Sequence, residues 1–244
     1  MNKYKITVEY DGTNYVGWQR QKNGNSIQGC LEHAIEKLFN EKVTVYGAGR
    51  TDAGVHALQQ IAHFSTNKSI ECFKIRDGLN QHLRPNSISI LNADKAAKDF
   101  HARFSAKLRC YEYKVINRRP PLTIDQNKAW CIHKNLNVEK IIKQASFFEG
   151  KHDFQSFRSI DCQSKTTLKS LESFEVKKNN DILIFSVCAK SFLHSQVRIM
   201  VGTLVDIGKG LIKESILDII KAQNRAKAGM TAPSYGLYLK KIEY

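Results

Sequence analysis

The chain has 244 residues, 42% of them hydrophobic and 25% charged, which is enough for one large or two small domains with a buried core and excludes intrinsic disorder. Lys and Arg outnumber Asp and Glu by 38 to 23, a formal charge of +15 with a pI near 9.5. That balance favours a polyanionic partner but does not separate tRNA from rRNA, DNA or an anionic membrane.

Residues 4 to 10 alternate polar and apolar as a strand, and Asp11, Gly12, Thr13 and Asn14 make a turn before Tyr15 to Gln21. A helix follows with the stripe Ile27, Leu31, Ile35 and Leu38, Asn25 or Ser26 as N-cap and Asn40 past its end. Strands are expected at 43–46, 59–65 and 87–91, and the stretch 92–102, short of large apolar residues, is the candidate boundary between a half at 1–100 and a half at 101–244. The second half opens on a strand with Tyr111, Tyr113 and Val115, stopped by Arg118, Arg119, Pro120 and Pro121. A helix from Val138 to Glu149, a hairpin of 167–177 and 182–190, a helix near 194–207 and a terminal strand from Tyr235 to Ile242 complete it. The expected class is therefore α+β, with the same coarse order of elements in both halves but no sequence repeat to support a duplication.

Six cysteines include no Cys-x-x-Cys unit, and His133 and His194 lack partners at ligand spacing, so zinc and redox motifs are not expected. The N-terminal stretch MNKYKITVEYDG has no hydrophobic leader, and no later apolar run approaches membrane-spanning length. A soluble protein of a reducing compartment, with no metal or cofactor, is the expectation.

Chemistry concentrates in residues 48–57, AGRTDAGVHA. Asp52 stands between Arg50 and the small pair Ala53 and Gly54, in a loop marked by Gly47, Gly49 and Gly54, where backbone can approach a ligand closely. A neighbouring guanidinium favours the charged form of a carboxylate, which suits a nucleophile better than a general acid. An arbitrary Asp in a glycine-rich turn is more often a backbone cap. A dinucleotide fingerprint fails because it needs glycine where Asp52 stands, and a P-loop fails because it needs Lys and Ser or Thr where Val55 and His56 stand. A methyltransferase-like strand-Gly-Ala-Gly remains the alternative enzyme class.

The ten-residue run resembles the signature of the TruA family of tRNA pseudouridine synthases, in which the Asp of this segment is catalytic. Five further blocks are similar to the same family: Tyr10–Gln21 (YDGTNYVGWQRQ), His101–Tyr113 (HARFSAKLRCYEY), His152–Arg158 with Cys162, Gln163 and Ser164, SFLHSQVRIMVG, and YGLYL. The resemblance implies two fused α+β halves with mainly antiparallel sheets and a basic catalytic cleft between them. It also implies that Tyr111 lies against the target base, that Arg198 pairs with Asp52 across that cleft, and that Leu237 forms an apolar wall under a flipped uracil.

From residue chemistry, Tyr15, Trp18 and Arg20 offer stacking faces and a phosphate clamp, although Trp18 is as readily a core residue. Arg103, Lys107 and Arg109 offer phosphate neutralisation, with a solvated basic strand face as the alternative. Arg50 is expected at a phosphate or in the space the base vacates. Arg198, in the apolar company of Val197, Ile199, Met200 and Val201, needs an anion if buried and is an ordinary surface cation if not.

The combined reading is a cofactor-independent tRNA pseudouridine synthase acting on uridines of the anticodon stem-loop, cytoplasmic and, on the family resemblance, a homodimer. Asp52 is its nucleophile. A zinc deaminase lacks the necessary His-x-Glu and Pro-Cys-x-x-Cys here. A noncatalytic RNA-binding module is the reading from another class, and the carboxylate at Asp52 argues against it, since a pure binder has no use for an anion facing phosphates.

Overall fold

A computed structural model of the chain describes residues 1–22 and 24–244. They form two compact units, Met1–Lys107 together with Tyr238–Tyr244, and Leu108–Leu237. Both are α+β with mainly antiparallel strand pairing.

The first unit contains β1 (Asn2–Tyr10), α1 (Ile27–Phe39), β2 (Tyr46–Gly47), β3 (His56–Thr66), α2 (Cys72–Leu83) and β4 (Ile88–Lys95). Strand β1 pairs antiparallel with both β3 and β4, and Tyr238 and Leu239 of the C-terminal strand run parallel to β3 at His56 and Ala57. Alternation decides which side is core: Tyr4, Ile6, Val8 and Tyr10 of β1 are buried while Lys3, Lys5, Thr7 and Glu9 between them are not. Tyr4 meets Phe39 of α1 and Phe64 of β3, with ring centroids 6.2 and 5.7 Å apart. Helix α1 starts where Ser26 accepts a hydrogen bond from Gly29 N at 3.2 Å and ends at Asn40 in the left-handed region with φ 48°. The opposite face of β3 carries Ile61, which packs with Ala48, Ala102, Phe100, Ile242 and Tyr244.

The second unit contains β5 (Leu108–Asn117), β6 (Trp130–Ile132), α3 (Val138–Ala145), β7 (Gly150–Asp153), β8 (Leu168–Asn179), β9 (Ile182–Ala189), α4 (Gln196–Gly208) and α5 (Ile216–Ala222); β10 (Leu237–Glu243) begins at its last residue. The sheet order is β5-β9-β8-β7, all antiparallel, with β6 parallel on β5. The expected hairpin is β8 and β9, turning at Asn180 with φ 52°. The expected 12-residue helix is shorter: α3 closes at Ala145 and a 3-10 turn, Ser146–Phe148, takes over. Phe148 anchors a core with Phe154, Phe157 and Phe174 at centroid distances of 5.0 to 6.3 Å. Cys110 and Cys188, 78 positions apart in sequence, are directly opposed on β5 and β9 with Cα atoms 4.2 Å apart, and they form a disulfide. No local Cys-x-x-Cys motif signals such a pair, because sheet register alone creates it. Among the described residues no helix is long and apolar enough to cross a membrane.

Candidate active site

Asp52 sits in the loop joining β2 to β3, and several backbone groups around it are held. Ala48 N donates to Ile61 O at 2.8 Å, Gln60 Nε2 to Gly49 O at 2.9 Å, and Trp18 N to Thr51 O at 3.0 Å. Val55 N donates to Asp52 O at 3.2 Å and closes a turn in which Gly54 has φ 77°, a conformation that favours glycine. The Tyr10 hydroxyl and Thr51 Oγ1 are 2.8 Å apart in a buried contact. Asp52 itself is half-buried and Arg50 is exposed.

The opening motif YDGTNYVGW is wrapped around this loop, and its glycines are what permit the approach. A Cβ on Gly12 would stand 2.0 Å from Val55 O, and one on Gly17, with φ 111°, would stand 2.7 Å from Thr51 O. Gly12 N also donates to Nδ1 of buried His56 at 3.0 Å, and the His56 ring stacks on Tyr238 at 4.7 Å. Two sequence blocks, 10–18 and 48–57, are therefore packed as one structural element that holds backbone on both sides of Asp52.

That arrangement uses the aromatic residues of the opening motif differently from the expectation of open stacking faces. Trp18 is 3% exposed; its ring lies against Tyr10 at 6.2 Å and covers Gly47, where an added Cβ would fall 2.5 Å from the indole. Tyr15 is buried and its hydroxyl accepts a hydrogen bond from Ser87 N at 3.1 Å. Arg20 remains exposed, paired with Glu32 at 3.1 Å. In the same unit Arg103 is exposed, with its guanidinium 5.7 Å from the ring centre of Phe104.

In the second unit, Tyr111 on β5 is half-buried and its ring meets Phe192 edge-on, 5.3 Å away at 87°. Arg109 Nη1 donates to Lys190 O at 2.6 Å. Arg198, on the first turn of α4, is half-buried; its Nε donates to Ala232 O at 2.8 Å and its carbonyl accepts from Ala232 N at 3.1 Å. Gly202 serves this same crossing: a Cβ there would lie 1.9 Å from Met230 O. Gly202 therefore admits the 230–232 segment of its own unit against α4. That segment leads to Pro233, whose carbonyl accepts from the Tyr113 hydroxyl at 2.7 Å, and to Leu237, 7% exposed at the start of β10. Burial pushes the Tyr113 phenol well above its ordinary range, Tyr235 adds to the rise, and the Arg198 guanidinium opposes it. Tyr113 is thus a buried strut that ties β5 to the segment bearing Leu237.

Sequence reasoning did not single out Thr51, Gln60, His56 or Tyr113. The signal for Tyr113 was present as alternation along β5, but the others reveal themselves only through hydrogen bonds between segments: Thr51 with Tyr10, His56 with Gly12, and Gln60 with Gly49.

The model of the tRNA pseudouridine synthase family matches residues 6–105 and 145–244. The chain is 52% identical to tRNA pseudouridine synthase A of Ehrlichia chaffeensis over 244 residues, 99% of this chain and 100% of the relative. It is 46% identical to the protein of that name from Anaplasma phagocytophilum over 245 residues, with 99% and 100% covered. The crystal structure of a Cbf5-Nop10-Gar1 complex aligns with 96% of this chain and 57% of its own at 11% identity and a TM-score of 0.34, too low to carry an argument. With both the opening block and the Asp52 block inside the matched residues, and with full-length relatives near half identity, the chain belongs to the TruA family of tRNA pseudouridine synthases, isomerases that form pseudouridine in tRNA.

Proposed function

We propose that this enzyme isomerises uridines of the tRNA anticodon stem-loop with Asp52 as nucleophile and without a cofactor, as a cytoplasmic homodimer. The observation that carries the assignment to Asp52 is the clamp around its loop. Thr51, Asp52 and Val55 are each tied by hydrogen bonds from another segment or across the turn, and a carboxylate carried on a held backbone meets the positioning that nucleophilic catalysis requires.

The reaction is an isomerisation, so atoms and electrons balance within the nucleoside. The bond from the sugar carbon to the ring nitrogen breaks, the uracil rotates, and a bond from the sugar carbon to a ring carbon replaces it. The proton displaced from that carbon is balanced by the one gained at nitrogen. Asp52 bonds transiently to the ring or to the sugar carbon and is released unchanged. Extracting the base from its stack costs a few kcal/mol, and cations with aromatic surfaces offset that cost.

In this reading Tyr111 supports the target base, its ring braced by Phe192. Leu237 supplies apolar surface, and Arg198 works with the Asp52 carboxylate as the family resemblance implies. Arg50, Arg103, Arg109 and Arg20 meet phosphate. Trp18 contributes by packing under the loop, consistent with its burial.

Sequencing pseudouridines in tRNA from cells with and without the protein tests the substrate assignment. Loss confined to the anticodon stem-loop is expected, and loss at other tRNA positions with that stem-loop unaffected would defeat it.

A further inference from the structure

The first unit displays an aromatic assembly that the isomerisation of a single uridine leaves unexplained. Phe104 is 76% exposed and Tyr46 is 49% exposed, unusual for large rings on a charged surface. They belong to one chain of contacts. Tyr46 stacks on His63 at 5.2 Å and 21°, and both rings meet His101, at 5.6 and 4.7 Å. His101 in turn lies 4.4 Å from Phe104, tilted by 35°. The Arg103 guanidinium stands 5.7 Å over Phe104.

The exposed ring is held in place. Ser105 N donates to His101 O at 2.9 Å, His101 N to Ser105 Oγ at 3.0 Å, and Arg103 N to His101 Nδ1 at 3.1 Å, so the turn that presents Phe104 is closed on itself. At the inner end, Ala102 N donates to Nδ1 of buried His63 at 3.2 Å. Burial and neighbouring positive charge hold His63 down at about 4 and push His101 down as well, so the inner rings of the assembly stay neutral at physiological pH. The charge at the rim is that of Arg103.

We propose that Phe104, Tyr46 and His101, together with the Arg103 guanidinium that stands over the Phe104 ring, form a platform on which an unpaired nucleobase of the bound tRNA stacks, outside the position of the isomerised uridine. A preorganised π surface with a guanidinium beside it matches a base and its phosphate. The formal +15 of the chain favours such a polyanion over an apolar protein partner. The proposal rests on the tRNA reading above.

The test uses the full chain with unmodified tRNA transcript, measuring affinity across a salt series. Phe104→Ala should weaken binding about tenfold, equivalent to about 1.4 kcal/mol and within the range for one base–aromatic stack, with the slope against salt unchanged. Phe104→Leu, which keeps apolar packing and loses the π face, should bind about as weakly, and Phe104→Trp should restore affinity. Arg103→Gln should instead reduce the slope by roughly 0.7 to 0.9, the contribution of one phosphate contact. Unmodified protein that fails to bind tRNA would overturn the tRNA reading and the platform with it. Normal binding by wild type, Phe104→Ala and Phe104→Leu alike would overturn the platform alone. A Phe104→Ala defect in sedimentation mass without loss of tRNA affinity would show that the surface meets a second copy of the chain and likewise end the proposal.

Discussion

The hydroxyl of Tyr10 and Oγ1 of Thr51 are 2.8 Å apart, buried, and separated by 41 positions in sequence. Thr51 immediately precedes Asp52, so this contact anchors the residue next to the proposed nucleophile. Tyr10→Phe removes the contact without changing ring packing against Trp18. The expected result is a stability loss of about 1 to 2 kcal/mol and a turnover lowered by at least about tenfold, with tRNA affinity within about twofold of wild type. Single-turnover kinetics separate these quantities, and an unaltered chemical rate would show that the contact has no positioning role.

Gly12 and Gly202 are both places where backbone crosses backbone. A methyl on Gly12 meets Val55 O and one on Gly202 meets Met230 O, at 2.0 and 1.9 Å respectively, and neither carbonyl is the end of a flexible side chain. Gly12→Ala and Gly202→Ala should each lower the denaturant midpoint by the equivalent of about 1 to 3 kcal/mol or more. Gly12→Ala should lower turnover beyond its effect on stability, because Val55 ends the Asp52 loop. Midpoints equal to wild type would mean that the crossings relax freely.

How much of this is legible in the sequence depends on the range of the interaction. The stripes Ile27, Leu31, Ile35 and Val197, Met200, Val201, Leu204 announce α1 and α4, and the alternation about Asn180 announces the β8–β9 hairpin. Helix α2 was not legible: only Ile75, Leu79 and Leu83 are buried, a helix-disfavouring Gly78 lies within it, and Glu71 gives no side-chain cap. Helix α5 offered a capping box at Ser215 and Asp218 but is only seven residues long. The strand expected at 43–46 reduces to Tyr46–Gly47, because Val45 N donates to the Glu32 side chain instead of joining a ladder. At the site, glycine spacing marked the Asp52 loop, while the Tyr10–Thr51 clamp and the burial of Trp18 depend on contacts no local pattern encodes.

Acid should destabilise the protein partly through His63. Burial first, then the charges of His101 and Lys3, lower its pKa from 6.5 to about 4, against a hydrogen bond at the backbone of Tyr46 that pulls upward. Between these values the unfolded chain binds a proton that the native state does not. The contribution is therefore complete above pH 6.5 and is lost as pH falls toward 4, by roughly 2 to 3 kcal/mol. His63→Gln removes the titrating group, so its urea midpoint should fall less between pH 7 and pH 4.5 than that of wild type. Parallel pH dependences for the two proteins would refute the assignment.

Tyr111 is braced edge-on by Phe192 at 5.3 Å, so its ring stays in place when the hydroxyl is removed. If the phenol serves as more than a surface for the base, Tyr111→Phe should retain tRNA affinity within about twofold and lose turnover by about 100-fold, in the range of a lost proton relay or hydrogen bond at the reacting group. Unchanged turnover would leave Tyr111 with stacking alone.

Asp52→Asn preserves shape while removing the charge and the nucleophilic oxygen. Pseudouridine formation should drop below detection, and the variant should remain folded because Asn keeps the side-chain shape and leaves the bonds of Val55 N to the Asp52 carbonyl and of Trp18 N to Thr51 O in place. Its tRNA affinity should equal or exceed that of wild type, since a negative charge near phosphates is gone. Arg198→Ala removes a guanidinium whose backbone partner, Ala232, also bonds the Arg198 carbonyl, and that backbone tie is kept. If Arg198 acts through the Asp52 carboxylate, Arg198→Ala should lose much of the activity, and the double variant should lose little more than Asp52→Asn alone, because residues working as a unit are not additive. Measured on an Asp52→Glu background with residual product, fully additive losses would instead place Arg198 on the RNA. Near-normal pseudouridine yield from folded Asp52→Asn protein would remove the nucleophile assignment altogether, leaving the clamped loop as a structural feature of an enzyme whose chemistry lies elsewhere.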